Sequence, residues 1–458
     1  MIKLYNTLGK KIQEFKPIKG KTVKLYTCGP TVYNFAHIGN LRAYIFADVL
    51  KRALLYNKYN VKHIMNITDV GHLTSDADYG EDKMERKARK EKKSVLSIAK
   101  FYIANFKSDI SALRILFPDK FILATKEIKE QIKLIKILEK KEFTYKTRDG
   151  IYFDTSKMPD YGKLANLEKQ DLKFGARVAL NKEKRNNTDF ALWKFSPKNK
   201  KRQMEWKSPW GIGFPGWHIE CSAISTKYLG QPFDIHTGGI DHIGTHHSNE
   251  IAQSESAYKK PLANFWLHSE FVTIGKSKMA KSEKNFITLN TLKEKKIEPE
   301  AFRLLALQTH YRNRLDFSWE SIVAAQNTWK NIKQAINNCV IVSKTSDNAK
   351  SNNLLTDFKK AINNDLDTPR AIAIFFKTLK YGNKKTLLKM DRVLGLGLDK
   401  IKKQKIVISE KIKKLAFKRD SFRKQKKWDS ADKIRKQIEK QGYILKDTNY
   451  KTQITKSK

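Results

Sequence analysis

The stretch that most constrains the fold is residues 28–40, which read Cys-Gly-Pro-Thr-Val-Tyr-Asn-Phe-Ala-His-Ile-Gly-Asn. Before it, residues 21–27 alternate polar side chains with β-branched and aromatic ones, a pattern typical of a β-strand. After it, residues 41–56 repeat apolar side chains at the spacing of an α-helix. A cysteine, a Gly-Pro turn, a histidine and a glycine therefore lie between a first strand and a first helix.

The position of this loop predicts a ligand-binding site. In a doubly wound α/β sheet, the loop after the first strand lies at the carboxyl edge of the strands, where nucleotides bind. The amides and dipole of the following helix favour a phosphate there. His37 and Asn40 are three residues apart, so both can face a ligand at the helix start. Taken alone, the stretch fits an ordinary strand, turn and helix equally well.

The rest of the chain predicts an α/β fold: a Rossmann-like, doubly wound parallel sheet with an insertion, followed by an all-α region. Strand patterns recur at 61–67, 233–237 and 265–274, with helix patterns between them. Residues 143–215 combine short β-like pieces with large aromatic residues, which we interpret as core of an insertion. We predict an α/β domain at 1–125 and 216–298, a connective subdomain at 126–215, a helical bundle at 299–400 and a basic region at 401–458.

The charge points to a polyanionic partner. The 458 residues carry a net charge of +45, from 92 Lys and Arg against 47 Asp and Glu. This excess is larger than solubility requires, and nucleic acid is the natural partner for it. A coding bias that fills the surface with lysine is the alternative explanation.

The cysteine count and the N-terminal sequence indicate the compartment. Three cysteines, an odd and sparse number, argue against a disulfide framework and for a reducing environment. Residues 1–20 are polar and lysine-rich, unlike a signal peptide, and no apolar run is long enough to span a bilayer. We therefore expect a soluble, cytoplasmic protein without a membrane partner. A monomer is a separate expectation.

Two of the cysteines belong to a candidate metal-binding set. Cys28 ends the first strand, Cys221 lies in a predicted helix, and His246 and Glu250 share one face of another helix. Strand ends and helix starts converge on one edge of a parallel sheet. Two thiolates, an imidazole and a carboxylate suit zinc. His247 competes with His246, because spacing does not decide which imidazole is the ligand. Buried structural cysteines beside a surface His/Glu pair are the alternative.

A lysine-rich loop is the second candidate feature. Residues 278–282 read Lys-Met-Ala-Lys-Ser and follow a predicted strand. Two lysines on a glycine-flanked loop can clamp a triphosphate and stabilise the charge on a departing pyrophosphate. In a chain with this many lysines, the loop alone carries little weight.

Together the two loops resemble a class I aminoacyl-tRNA synthetase, and the longer pattern resembles the cysteinyl-tRNA synthetase family. This resemblance runs in order over essentially the whole chain. Its motifs are Thr-Cys-Gly-Pro-Thr-Val-Tyr (27–33), His-Ile-Gly-Asn (37–40), Asn-Ile-Thr-Asp (66–69), Gly-Trp-His-Ile-Glu-Cys (216–221), His-His-Ser-Asn-Glu-Ile-Ala-Gln (246–253), Lys-Met-Ala-Lys-Ser (278–282), His-Tyr-Arg (310–312) and Ala-Asp-Lys-Ile-Arg (431–435).

The resemblance implies that the chain uses ATP to convert L-cysteine to cysteinyl-adenylate and transfers it to the 3′ end of tRNA-Cys. In the family one zinc ion per chain would bind the substrate thiolate and select cysteine over serine. ATP would enter with Mg²⁺, and the carboxylate of the amino acid would attack the α-phosphate without a side-chain nucleophile. The basic C-terminal helices would bind the tRNA.

The resemblance also implies roles for individual residues. The metal ligands would be Cys28, Cys221, His246 and Glu250. The amino-acid pocket would include Cys28, Gly29, Thr68 and Trp217. ATP would be bound by His37, Gly39, Asn40 and Lys281. The catalytic residues would be His37, Asn40, Lys278 and Lys281.

Some positions depart from the family pattern, and two other functions compete. Ala280 stands where the signature loop of the class has Ser, although both lysines remain. A cysteine ligase for a small-molecule amine would share the core, but the basic helical pattern at 409–446 argues against it. A non-catalytic tRNA-binding paralogue would not need His37, the two lysines and all four candidate metal ligands.

Overall fold

The strand predicted before residue 28 is the central strand of a five-stranded parallel sheet. In the computed structural model the strand order is β12 (Ala263–Ser269), β11 (Phe233–Gly239), β3 (Thr22–Thr27), β4 (Asn60–Ile67) and β5 (Lys120–Leu123), and every neighbouring pair is parallel. The chain builds β4 and β5 on one side of β3 and returns to build β11 and β12 on the other. The strand order therefore reverses at β3, and open α/β sheets bind ligands at such a reversal.

The structure describes residues 1–71, 82–166, 183–197, 202–275, 277–278, 286–338, 345–381, 383–401, 408–447 and 452–456. The chain forms two compact units, residues 1–399 and 400–458. Within the described ranges, no helix combines the length and the apolar composition that crossing a membrane requires. The polar, acidic sequence at 71–82 predicts a loop, which lies outside the described residues apart from its two ends.

Helices connect the parallel strands. They are α1 (Ile38–Tyr56), α2 (Lys83–Glu91), α3 (Val95–Ala112), α4 (Ile128–Lys140), α5 (Trp217–Leu229) and α6 (His246–Tyr258). α4, α5 and α6 pack on one another and share a hydrophobic core with β3, β11 and β12. A hairpin of β1 (Lys3–Asn6) and β2 (Lys11–Glu14) lies beside β12, where the amide of Thr7 donates to Trp266 O at 2.8 Å.

The predicted insertion is an antiparallel sheet of its own. Its strands are β6 (Thr144–Lys146), β7 (Gly150–Phe153), β8 (Phe190–Phe195), β9 (Trp206–Ser208) and β10 (Gly211–Pro215), in the order β6-β7-β8-β10-β9. The side chains of Phe190, Trp193 and Phe214 are buried. The interpretation of these aromatic residues as core is therefore confirmed.

One predicted strand is two strands. The pattern at 265–274 predicts a single strand, but β12 ends at Ser269 and β13 (Val272–Ile274) follows after a break. β13 pairs with β14 (Ser277–Lys278) and β15 (Leu315–Phe317) in a separate small sheet. At the break, the carbonyl groups of Glu270 and Phe271 accept from an arginine side chain, and Phe271 O also accepts from the Leu315 amide of β15.

The end of the first unit is helical, as predicted. Its helices are α7 (Leu289–Glu294), α8 (Pro299–Leu307), α9 (Trp319–Asn338), α10 (Thr345–Asn363), α11 (Thr368–Lys380) and α12 (Lys384–Leu394). The second unit contains α13 (Glu410–Lys424) and α14 (Trp428–Lys440), and then a hairpin of β16 (Tyr443–Asp447) and β17 (Thr452–Lys456). The fold class is confirmed, except that β15 and this hairpin make the C-terminal region mainly rather than wholly helical.

A buried arginine joins the helical region to the α/β domain. Arg303 on α8 is fully buried, and its guanidinium pairs with the Asp48 carboxylate on α1. It also donates to Leu394 O at 2.7 Å and to Leu113 O at 3.0 Å. One side chain therefore contacts the ends of two other helices as well as α1.

We predict that Arg303→Ala lowers the free energy of unfolding of the first unit by about 3–5 kcal/mol, since it leaves the Asp48 charge buried with fewer partners. The measurement is urea denaturation followed by tryptophan fluorescence. Arg314→Ala is the control, because the Arg314 side chain is 70% exposed and lies 3.7 Å from Glu270. The control is expected to cost about 0.5 kcal/mol or less, and equal losses in both variants would contradict the prediction.

Candidate active site and metal centre

A cavity of about 350 Å³ opens at the carboxyl ends of β3 and β11. Its walls come from the loop after β3, the start of α1, the start of α5 and the segment after β11. The predicted site residues that line it are Cys28, Gly29, His37, Gly39, Asn40, Thr68, Trp217, Cys221 and His246. Most residues that the sequence analysis singled out thus face one space.

The start of α1 is held by a reciprocal cap between His37 and Asn40. The Asn40 amide donates to His37 Nδ1 at 3.2 Å, and the His37 amide donates to Asn40 Oδ1 at 3.3 Å. A Cβ on Gly39 would lie 2.9 Å from the His37 ring, so only glycine leaves the ring this position. Because Nδ1 accepts, the neutral ring carries its proton on Nε2. The helix dipole at this end favours a bound anion.

Cys28, Cys221, His246 and Glu250 form one buried cluster at the wall of the cavity, with one donor atom from each within 4.8 Å of the others. The two sulfur atoms are 3.9 Å apart, and Glu250 Oε1 lies 3.7 Å from Cys28 Sγ and 3.1 Å from His246 Nε2. Two sulfurs, an imidazole nitrogen and a carboxylate oxygen are a donor set that suits a soft or borderline metal ion.

A second set of donors overlaps the first. Cys28 and Glu250 also lie within 4.8 Å of ring nitrogens of His236 and His247. His247 Nε2 is 3.3 Å from Cys28 Sγ, and His236 Nε2 is 2.8 Å from Glu250 Oε2. The other ring nitrogen of His247 lies 2.7 Å from His268 Nε2. The competition between His246 and His247 in the sequence thus persists as two adjacent sets in space.

The cluster favours a positive charge at its centre. Burial opposes ionisation of Glu250, but His236 and His246 hold the pKa of its carboxyl well below the ordinary value. Burial also opposes the charged form of His246, but Glu250 and Cys221 raise its pKa to about 10. Burial raises the pKa of the Cys28 thiol well above its usual range. A metal ion would therefore replace protons when it binds.

A chain of hydrogen bonds fixes the backbone next to Cys28. The Gly29 amide donates to Asn66 Oδ1 at 2.7 Å, Asn66 Nδ2 to Thr68 Oγ1 at 3.1 Å, and Thr68 Oγ1 to Glu220 Oε2 at 2.7 Å. A Cβ on Gly29 would lie 1.7 Å from Asn66 O, so this approach requires glycine. Glu220, fully buried beside Cys221, therefore orients the loop that carries the first cysteine.

Comparison with known proteins identifies the family. A model described as the catalytic domain of class I (C) tRNA synthetases matches residues 14–327. Cysteine–tRNA ligase 1 of Burkholderia lata is 46% identical, and the alignment covers 97% of this chain and 95% of the relative. Cysteine–tRNA ligase of Treponema denticola is 43% identical, with 98% and 99% coverage. The chain belongs to the cysteine–tRNA ligase family.

The predicted resemblance to this ligase family is therefore confirmed, and solved structures agree on the fold. Methionyl-tRNA synthetase of Mycobacterium tuberculosis, bound by methionyl-adenylate, superposes with a TM-score of 0.56 at 15% identity. The superposition covers 82% of this chain and 88% of the solved chain. At this identity the likeness concerns the fold alone.

The signature lysine loop of this ligase begins and ends beside α1. Lys278 lies in β14, whose backbone pairs with Thr273, while Lys281 lies outside the described residues. On the far side of the loop, the Ile38 amide donates to Ile287 O at 2.9 Å. The helix that positions His37 and Asn40 therefore also contacts the segment after the lysine loop.

Arg42 on α1 holds the segments that precede β13 and β15, and the sequence analysis did not predict it. The arginine is buried, and desolvation lowers its pKa to about 10 despite the Glu270 carboxylate. Its guanidinium donates to four main-chain carbonyls, those of Glu270 (2.9 Å), Phe271 (2.8 Å), His310 (3.1 Å) and Asn313 (2.6 Å). A lone arginine on a predicted helix gives no signal of such a role.

The histidines around the cluster carried a signal that the sequence analysis did not use. Six of the ten histidines of the chain fall between residues 218 and 268. His218 Nδ1 lies 2.9 Å from His246 Nδ1, and the Trp217 ring centroid is 4.7 Å from that of His246. A Cβ on Gly238 would approach within 3 Å of the His242 and His247 rings. Local enrichment in histidine would have indicated that several imidazole rings surround the cluster.

We predict that Arg42→Lys speeds amide hydrogen exchange in β13 and β15 by about 10- to 100-fold. A lysine cannot replace four fixed hydrogen bonds, and hydrogen bonds to charged groups are each worth about 1.5–3 kcal/mol. The measurement is hydrogen–deuterium exchange by mass spectrometry. Arg52→Lys, on the same helix, is the control, because Arg52 bonds Asp48 and the carbonyls of Arg114 and Arg392 instead. Unchanged exchange in β13 and β15 of the Arg42 variant would refute the assignment.

Proposed function

We propose that this chain is a cysteine–tRNA ligase, which activates L-cysteine with ATP and transfers it from cysteinyl-adenylate to the 3′ end of tRNA-Cys. The observation that carries the proposal is the similarity to cysteine–tRNA ligases, which extends through the catalytic fold and the basic C-terminal unit. This extent argues against a cysteine ligase for a small-molecule amine, which would not need the C-terminal unit.

The metal is proposed to be Zn²⁺, one per chain, held by Cys28, Cys221, His246 and Glu250. This set is preferred to the overlapping one because it has two sulfur donors, and thiolates favour zinc over harder cations. When bound, zinc would supply a soft Lewis acid that prefers the substrate thiolate to a serine hydroxyl. An apolar pocket separates such near-isosteres only weakly. Selection of the amino acid thus depends on this cluster.

The remaining roles are proposed from the family resemblance, and for the described residues also from their place in the cavity. Gly29, Thr68 and Trp217 line the cavity next to the cluster and would orient the amino acid. His37, Gly39 and Asn40 form the start of α1, where the dipole would favour the phosphates of Mg²⁺–ATP. Lys281, supported by Lys278, would stabilise the departing pyrophosphate. Catalysis would be mainly positioning and charge stabilisation, with the amino-acid carboxylate as the nucleophile.

The partner and the setting are also proposals. The second unit is rich in lysine and arginine, as a surface that neutralises tRNA phosphates requires. The sparse cysteines support a cytoplasmic location. We propose a monomer, which sedimentation of the purified protein would check.

The deciding experiment is charging of deproteinised total RNA with labelled cysteine and ATP, with labelled serine as the control. Label on tRNA from cysteine alone supports the proposal. Cysteine-dependent pyrophosphate exchange without labelled RNA would instead indicate a small-molecule cysteine ligase. Absence of both activities would indicate a tRNA-binding paralogue.

We predict that Cys221→Ala abolishes stoichiometric zinc and cysteine-dependent pyrophosphate exchange together, because it removes a ligand. His236→Gln, which changes only the overlapping set, is expected to keep zinc with about 10- to 100-fold weaker affinity, as for a residue that orients a ligand. Elemental analysis after dialysis measures both. Zinc retained by the Cys221 variant and lost by the His236 variant would favour the overlapping set.

We predict that Lys281→Ala slows adenylate formation by about 10²- to 10³-fold, the usual cost of removing one group that stabilises developing charge. Zinc content should not change, since the loop is separate from the cluster in sequence. Single-turnover formation of the adenylate is the measurement. Lys284→Ala, three residues further along the chain, is the matched control. An equal effect of both substitutions would mean that general loop charge, not Lys281, matters.

A further inference from the structure

An aromatic strip, formed by Phe35, Phe101 and Tyr102, leads out of the cavity. Phe35 and Tyr102 line the cavity, and their ring centroids are 5.1 Å apart. Phe101, the next ring outward, lies 6.0 Å from Phe35 in an edge-to-face contact and is 47% exposed. The strip thus runs from the wall of the site to the protein surface.

The surface around the strip is basic. Residues 83–107 contain nine Lys or Arg and two Glu. Lys93 Nζ lies 5.7 Å from the centre of the Phe101 ring. The Glu91 side chain already pairs with Lys87 at 3.1 Å and with Lys93 at 3.3 Å, and it accepts from the Tyr102 hydroxyl at 3.4 Å. The net charge beside the exposed ring is therefore positive.

We propose that the aromatic strip binds the unpaired 3′ end of the tRNA, with a base stacked on Phe101 as the strand enters the cavity. The inference rests on the proposed function. Exposed aromatic rings with adjacent cations bind single-stranded nucleic acid, because bases stack on the rings while phosphates meet the charges. A paired stem offers no free base faces, so the exposed ring fits the single-stranded end.

The position of Phe101 separates this occupant from ATP. Phe101 is not among the residues that line the cavity, whereas Phe35 and Tyr102 are. An adenine inside the cavity would contact the two inner rings. A strand that continues out of the cavity would also contact the outer ring.

The test is Phe101→Ala, with Phe101→Trp to retain a stacking surface and Phe117→Ala as the matched control. Phe117 is 45% exposed and makes one edge-to-face contact, with Phe121 at 5.6 Å. It precedes β5, at the amino edge of the sheet, whereas the cavity lies at the carboxyl edge. The two alanine variants thus remove similar exposed rings from opposite edges.

Each variant is measured for affinity to intact tRNA-Cys and to the same tRNA without its last three nucleotides, and for pyrophosphate exchange without tRNA. We expect Phe101→Ala to bind intact tRNA roughly 10-fold more weakly, the scale of one base–aromatic stack, and to bind the shortened tRNA like the unmodified protein. Phe101→Trp and Phe117→Ala should match the unmodified protein, and exchange should not change in any variant.

Three results would overturn the inference. If Phe101→Ala weakens binding of the intact and the shortened tRNA equally, the contact lies elsewhere on the tRNA. If it raises the KM for ATP in pyrophosphate exchange, the ring contacts adenine. If it changes neither quantity, Phe101 has no role in binding. If the unmodified protein charges tRNA in any of these cases, the proposed function stands and only this inference fails. If it charges no tRNA, both fail.

Discussion

The pairing of β3 with β11 is the contact on which the site depends. The hydroxyls of Thr27 and Thr237 are 2.8 Å apart although 210 residues separate them in the chain, and the Cys28 amide donates to Thr237 O at 3.2 Å. This pairing creates the reversal of strand order and brings the loop after β3 against the starts of α5 and α6. Without it, the four metal-binding candidates would come from unrelated parts of the fold.

At the carboxyl edge of the parallel sheet, the buried charge of Glu250 is balanced by neighbouring histidines. Glu250 lies between His236 and His246. The pKa values of His247 and His268 lie below the ordinary range, because these rings are buried and other histidines lie beside them. One imidazole in the cluster, His246, is held in the charged form by its anionic neighbours. The site thus has a defined place for one cation within a layer of neutral rings, which is how a buried metal centre avoids unpaired charge.

Sequence periodicity predicted the elements but not the contacts between them. The helix predicted to carry His246 and Glu250 is present as α6, and the strand predicted before residue 28 is present as β3. Arg42 and Glu220 were missed because each acts on backbone or side chains more than 150 residues away, which no local pattern encodes. The C-terminal hairpin was missed because its second strand is polar. The sequence left His246 and His247 as alternatives because both lie on one helical turn, and each belongs to one of the two overlapping donor sets.

The insertion between β5 and β11 also determines the order in which the site can form. N-terminal segments emerge first during synthesis, at about 5–20 residues per second, and distant strand pairs close late. β3, β4 and β5 can pair early, but the second edge of β3 has no partner until β11 has been made. That edge is open for some seconds of translation, and an unpaired strand edge is a template for wrong pairing. A longer insertion would therefore lengthen the time during which β3 can pair wrongly, although it would change no residue of the site.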